Sequence, residues 1–161
     1  MTGVDFLAHI LATGTLHGVG IGADLAAVDA AMPEEHVDVV DEEDVSLRRD
    51  YGLIEVFFND GPDWRVVGAS VEIHRLASVT SRGKKLRLSH GVVFPKYVLW
   101  REIEAALAKL PDAPVLEVRT DQDGYAEYRS AAGRVSAMVV DSGEGRHGGP
   151  GQGDVFSVAL G

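Results

Sequence analysis

Apolar and polar positions alternate most regularly between Leu47 and Leu76, in LRRDYGLIEVFFNDGPDWRVVGASVEIHRL. Two runs rich in β-branched and aromatic residues flank Asn59-Asp60-Gly61-Pro62-Asp63, a cluster of turn formers. This predicts a β-hairpin with a loop of about five residues. The period of two places Val67, Ala69, Val71 and Ile73 on one face, and Ser70, Glu72 and His74 on the other. In the first run Ile54, Val56 and Phe58 share a face, opposite Tyr51, Leu53, Glu55 and Phe57. Joining the two apolar sets gathers Tyr51, Glu55, Phe57, Trp64, Ser70, Glu72 and His74 on the second face. A one-residue slip would carry Glu55 to the apolar side, which favours this register.

Upstream the period changes to that of a helix. Phe6, Leu7, Ile10 and Leu11 form a stripe over Val4 to Ala12, and Leu25, Val28 and Met32 form another over Asp24 to Met32. Asp24 sits at the positive end of the second helix, and Pro33 stops it. Glu34 to Asp44 (EEHVDVVDEED) reads as a solvated connection or a short strand entering the hairpin.

Downstream, Ala77 to Lys85 is a polar turn, and Leu86 to Phe94 holds a strand broken by Gly91. Pro95 then introduces the most regular helical pattern, Lys96 to Leu110, with Leu99, Trp100, Ile103, Ala106, Leu107 and Leu110 on one stripe. That helix is expected to lie on the apolar face of the hairpin. Val115–Thr120, Tyr125–Ser130, Arg134–Val140 and Asp154–Leu160 are strands, the first two joined by the turn Gln122-Asp123-Gly124. The expected fold is therefore α+β: two N-terminal helices, an antiparallel sheet of about five to seven strands, and one long helix packed on it. Residues 1–161 are expected to form a single domain. It comprises a helical acidic part (1–46), a sheet plus helix (47–161), and a flexible glycine-rich loop at 142–153.

Composition narrows the class. The chain has 161 residues, 45% of them hydrophobic and 25% charged, ordinary values for a soluble globular domain. No cysteine is present, so disulfides, thiolate metal sites and cysteine nucleophiles are excluded. Neither a signal-peptide pattern at Met1–Phe6 nor a run long enough to span a bilayer occurs, so a cytoplasmic protein is expected.

The net charge of −10 is the most informative quantity. Between Asp24 and Asp60 stand 12 acidic residues against Arg48 and Arg49, while the remaining 13 acidic and 13 basic residues cancel. Such a concentrated field repels nucleic acid and anionic membranes and accelerates encounter with basic proteins.

Motifs for chemistry are sparse. Gly18, Gly20 and Gly22 lack the preceding strand, the spacing and the lysine of a phosphate loop, and Asp24 and Asp29 beside them would repel phosphate. The acidic run lacks the alternation and closing glutamate of a calcium loop. His9, His17, His36, His74, His90 and His147 form no H-x-H or H-x-x-x-H pair, so neither a local metal site nor any cofactor is expected. Ser70, Glu72 and His74 alternate on one strand face but stand about 6.5–7 Å apart along the backbone, a poor spacing for a nucleophile–base relay. Glu55 and Glu72 could face each other across the hairpin and raise one another's pKa, which would suit acid–base hydrolysis.

The segments RRDYGLIEVFF, WRVVGASVEIHRL and FPKYVLWREIEAAL, following an acidic helical part, resemble small actinobacterial proteins found beside secreted or contact-delivered toxins and assigned as immunity proteins. The resemblance spans residues 20 to 110. It implies neutralisation of a cognate toxin by binding, and it carries no residue roles across. Taken together, a non-enzymatic, acidic protein-binding module is expected, with a basic protein, of toxin type, as partner. Asp38, Asp41, Glu42, Glu43 and Asp44 would steer that partner, and Tyr51, Glu55, Phe57, Trp64, Glu72 and His74 would contact it. The alternatives are a small-ligand-binding domain or hydrolase using Glu55, Glu72 and His74, and a homodimer formed through the same face.

Overall fold

The computed structural model describes residues 1–43, 45–59, 61–78, 91–120, 123–143 and 145–161. Two helices open the chain. In α1 (Gly3–Thr13) the Thr2 hydroxyl accepts from the Asp5 N–H at 3.1 Å, and Gly14, at φ 66°, ends the helix by donating its N–H to the Ile10 carbonyl. Asp24 caps α2 (Leu25–Ala31) by accepting from the Ala27 N–H at 2.8 Å. Both match the predicted helices. The α1 stripe is buried, as are Val28 and Met32 of the second stripe, whereas Leu25 is half-buried; Leu7 and Val28 are fully covered.

The hairpin is more finely divided than its pattern predicts. The first run breaks at Tyr51-Gly52-Leu53, where Gly52 has φ 92°, and becomes two antiparallel strands, β2 (Ser46–Asp50) and β3 (Ile54–Asn59). The acidic stretch supplies a strand of its own, β1 (Val37–Asp41), and the second run is β4 (Arg65–Val71). A short α3 (Arg75–Ser78) follows. Residues 79–90 lie outside the description, and with them most of the predicted polar turn and of the strand at Leu86–Phe94. Val93 makes only an isolated bridge to Thr2.

The predicted long helix is an eight-residue α4 (Trp100–Leu107). It starts late because the backbone before it is already engaged. The Val98 carbonyl accepts from the Val155 N–H at 2.8 Å, and Leu99 bridges Asp154. Four strands complete the chain, all where predicted: β5 (Leu116–Thr120), β6 (Tyr125–Ser130), β7 (Val135–Val140) and β8 (Val155–Leu160).

All eight strands form one antiparallel sheet in the order β1-β2-β3-β4-β8-β7-β6-β5, which exceeds the five to seven expected. Each half is a four-stranded meander, and the halves meet only through their last strands. Ala69, Ser70 and Val71 of β4 pair with Leu160, Ala159 and Val158 of β8. The cross-strand rows Val56–Ala69–Leu160–Val135 and Ile54–Val71–Val158–Ala137 form the apolar floor. Above it, α1 packs against α4 and over β7 and β8, whereas α2 serves the hairpin half. The late helix therefore covers the other half of the sheet from the one expected. Its Trp100 lies 4.3 Å, ring to ring, from Tyr128 of β6.

A bulge in β4 shifts the predicted side-chain phase. Phe57 pairs with Gly68 and Phe58 with Val66, so Val67 has no partner and is turned outward, 41% exposed, while Val66 takes the buried place. Opposite the helices the sheet presents the row Asp50–Glu55–Ser70–Ala159–Ser136–Arg129–Glu117, mostly polar or small.

Within the glycine-rich stretch 142–153, Arg146 clasps the buried Asp154 with two bonds of 2.7 and 2.6 Å, and the Gly151 N–H adds a third of 2.8 Å. The Arg146 guanidinium also rests 4.4 Å from the centre of the Tyr97 ring. Among the described residues no helix is long and apolar enough to cross a membrane.

Candidate functional site: an acidic sheet edge

The acidic segment folds into α2, β1 and the strands beside them, at one end of the sheet. Arg49 organises it. Its β2 position points it to the helix side, where it is 5% exposed; it donates to both Asp38 oxygens at 2.8 and 3.0 Å and to Asp29 of α2. A planar guanidinium held by two carboxylates is the arrangement arginine satisfies and lysine does not. The Arg49 hydrogen bonds, opposed by partial burial, hold the Asp38 carboxyl below the usual carboxylate range. Burial pushes the Tyr51 phenol up, with Arg49 working against it.

Among the described residues of the segment, Asp29 and Asp38 pair with Arg49, Asp50 and Glu55 with Arg75, and Asp24 with Arg65. Glu35, Asp41, Glu42 and Glu43 are exposed, the last three where the chain turns from β1 into β2. Asp44 lies outside the described residues. The whole of β1 is exposed too, with Val37, Val39 and Val40 at 65, 47 and 55%.

The same turn carries backbone strain. Val45 has φ 49°, in the left-handed region that a β-branched residue rarely enters, and its side chain is 46% exposed. Val45→Gly should relieve that strain and raise the unfolding free energy by about 1 kcal/mol. Urea denaturation checks this; a lower midpoint would show that the valine is held by contacts that outweigh the strain.

The predicted contact residues on the hairpin do not converge. Tyr51 is corrected from the polar face to a buried position in the β2–β3 turn, 5.2 Å from the His36 ring, because the turn at Gly52 breaks the strand alternation. Trp64, placed beforehand with Glu55 and Phe57, packs against the core instead. Phe57 and Glu55 do lie on the face away from the helices. There Glu55 is buried and receives a 2.7 Å hydrogen bond from Arg75, with Arg48 at 3.8 Å. Glu55 therefore has guanidinium partners in place of the facing carboxylate anticipated for it.

Ser70 and Glu72 are brought together, the hydroxyl donating to Glu72 at 2.6 Å. Glu72 also stands 3.4 Å from His74 Nδ1, and the His74 ring stacks on Phe156 at 4.1 Å. Glu72 separates Ser70 from His74, so the three do not form the serine–imidazole contact a nucleophile needs. Among the described residues no three His, Asp or Glu side chains converge as around a metal ion.

A feature that sequence reasoning missed lies between α4 and β5–β6. Two adjoining grooves of about 370 and 330 Å³ share Trp100, Glu104 and Tyr128 in their walls. Burial raises the Tyr128 phenol, and the carboxylates of Glu104 and Asp141 add to the effect. The apolar stripe that includes Trp100 was legible as core, but the meeting of Trp100 with Tyr128 depends on sheet order.

This arrangement defines an α+β protein whose described strands form an eight-stranded antiparallel sheet with the acidic β1 at one edge. Comparison with protein-family profiles, with curated proteins and with solved structures returned no match.

Proposed function

We propose that the chain is a non-enzymatic binding module that captures and occludes a basic protein, in the manner of an immunity protein acting on a toxin. The observation that supports this most directly is the segregation of charge. The buried Arg49 gathers Asp29 and Asp38, and Arg75 holds the buried Glu55, while Glu35, Asp41, Glu42 and Glu43 place exposed carboxylates around a strand whose own side chains are all exposed. Ion pairs anchored on the buried Arg49 and Glu55 hold the surface in shape, and exposed carboxylates steer a cationic partner toward it. The resemblance to immunity proteins points the same way.

The test combines capture and kinetics. Pull-down from host lysate at low and high salt, read by mass spectrometry, identifies a basic partner retained only at low salt. With that partner, Asp41→Lys, Glu42→Lys and Glu43→Lys together should slow association roughly tenfold or more at low salt. Thermal stability should fall only modestly, since all three side chains are exposed, although Asp41→Lys gives up the 3.0 Å bond from the Glu43 N–H to the Asp41 carboxylate. An association rate that ignores the reversal would remove electrostatic capture as the function.

A further inference from the structure

Edge strands present a row of backbone N–H and C=O groups with no partner, and proteins ordinarily blunt them with lysine, proline or a bulge. β1 has no lysine, proline or bulge; its charged side chains are Asp38 and Asp41, which guard the edge against acidic strands and not against basic ones. The strand is VDVVD, it pairs with β2 in continuous register from Val37↔Asp50 to Asp41↔Ser46, and among the described residues no strand pairs with its other side. Three valines stand exposed along it, and all five of its side chains are accessible. The bidentate grip of Arg49 on Asp38, and the tie from Arg49 to α2, hold the strand against β2 from the helix side of the sheet.

The charge at this edge selects what can be added to it. Asp41, Glu42 and Glu43 close one end of the strand, and Glu35 precedes the other. A second copy pairing edge to edge would bring two such acidic sets together in a chain of net charge −10, so self-association is disfavoured. A strand bearing lysine or arginine gains from the same field. The opposite edge makes no such choice, because β5 alternates Glu117 and Arg119 around an exposed Val118.

We propose that β1 accepts an extended, lysine- or arginine-bearing segment of the partner as a ninth strand, by main-chain hydrogen bonding along its open edge. This rests on the acidic-capture reading and specifies how contact is made. The exposed valines supply side-chain contact on both faces of the added strand, while the acidic ends fix its sign of charge. The edge spans about 17 Å, enough for an added segment of about five residues.

The probe is a peptide of about ten residues alternating lysine and valine, blocked at both ends, compared with a twin carrying N-methyl groups at alternate residues. The twin keeps charge and side chains but loses the backbone donors that strand addition needs. Amide exchange by NMR on the full chain, with affinities at low salt, reads the outcome. The unmodified peptide should slow exchange of β1 amides and bind at least tenfold more tightly than its twin. Val39→Lys, on the exposed edge, should weaken that binding without changing thermal stability. Equal binding of the two peptides, or protection away from β1, would overturn strand addition while leaving acidic capture intact. No binding of either at low salt would overturn both. A concentration-dependent dimer whose β1 amides are protected without peptide would assign the edge to a second copy and overturn the proposal.

Discussion

Arg49→Met is expected to lower the unfolding free energy by about 3 kcal/mol, with a Tm about 8 °C lower. Methionine keeps much of the apolar stem, so the loss comes from charge. Asp38 and Asp29 are left without their guanidinium, and the tie between α2 and β1 is cut. Breaking a fully buried pair costs about 3–5 kcal/mol. The lower part of that range applies because the Asp29 and Asp38 side chains are 55 and 37% exposed and water partly replaces the arginine. Combining Arg49→Met with Asp38→Asn and Asp29→Asn should restore part of the loss, since no uncompensated carboxylate then remains. Urea unfolding of the single and triple variants is the measurement. A single variant within 0.5 kcal/mol of the parent, roughly the scale of an ordinary surface change, would refute the central role given to Arg49.

Asp154→Asn should be the second large effect, about 2 kcal/mol, and its signature is in the pH dependence. Burial alone would push the Asp154 carboxyl up, but the Arg146 bonds and the Gly151 N–H outweigh it and hold the pKa below the ordinary range. A carboxyl whose pKa is lower folded than unfolded stabilises fully above its unfolded value, near 3.9. That stabilisation is lost as the pH falls from about 5 toward the depressed folded value. Asp38 behaves likewise through Arg49. The parent should therefore lose stability steeply on acidification below about pH 5, and Asp154→Asn should be less stable at pH 7 yet lose less on the way down. Unfolding curves at pH 7, 5 and 3.5 would decide it. Parallel losses in both proteins would mean that Asp154 contributes no protonation linkage.

Local chemistry made much of this fold legible. The turn formers Asn59 to Asp63, the capping Asp24, and the alternation in the last four strands each act over a few residues, and each produced its element. The misreadings arose where distant parts of the chain decide. Gly52 looked like one residue inside a strand, but the chain turns back there, at φ 92°, so that Leu47–Asp50 pairs with Glu55–Phe58. The bulge at Val67 has no signal of its own within Val66-Val67-Gly68, since either valine could face the core. Lys96 to Leu99 fit a helix by period, and contact with residues 154 and 155 drew the backbone of Val98 and Leu99 out of it.

For the site, the acidic run was visible in full. What could not be read was which carboxylates Arg49 and Arg75 would neutralise, because those pairings cross 11 to 20 residues. The groove beside Trp100 was hidden for the same reason, joining α4 to β5 and β6.

The seam between β4 and β8 bears on how the chain reaches this state. Within each half, every strand pairs with its neighbour in sequence, so closure spans little chain and is fast. The seam instead joins Val71 to Val158 across most of the second half, and it rests on three residue pairs. Until it closes, β4 and β8 are themselves open edges. Between them they carry a single charged residue, Arg65, and they display Val66, Val71, Val155 and Val158. The finished molecule guards its outer edge with carboxylates; its two innermost strands have no such protection. Aggregation during synthesis or refolding should begin at these central strands, and crowding or heat that delays the seam would be felt there first.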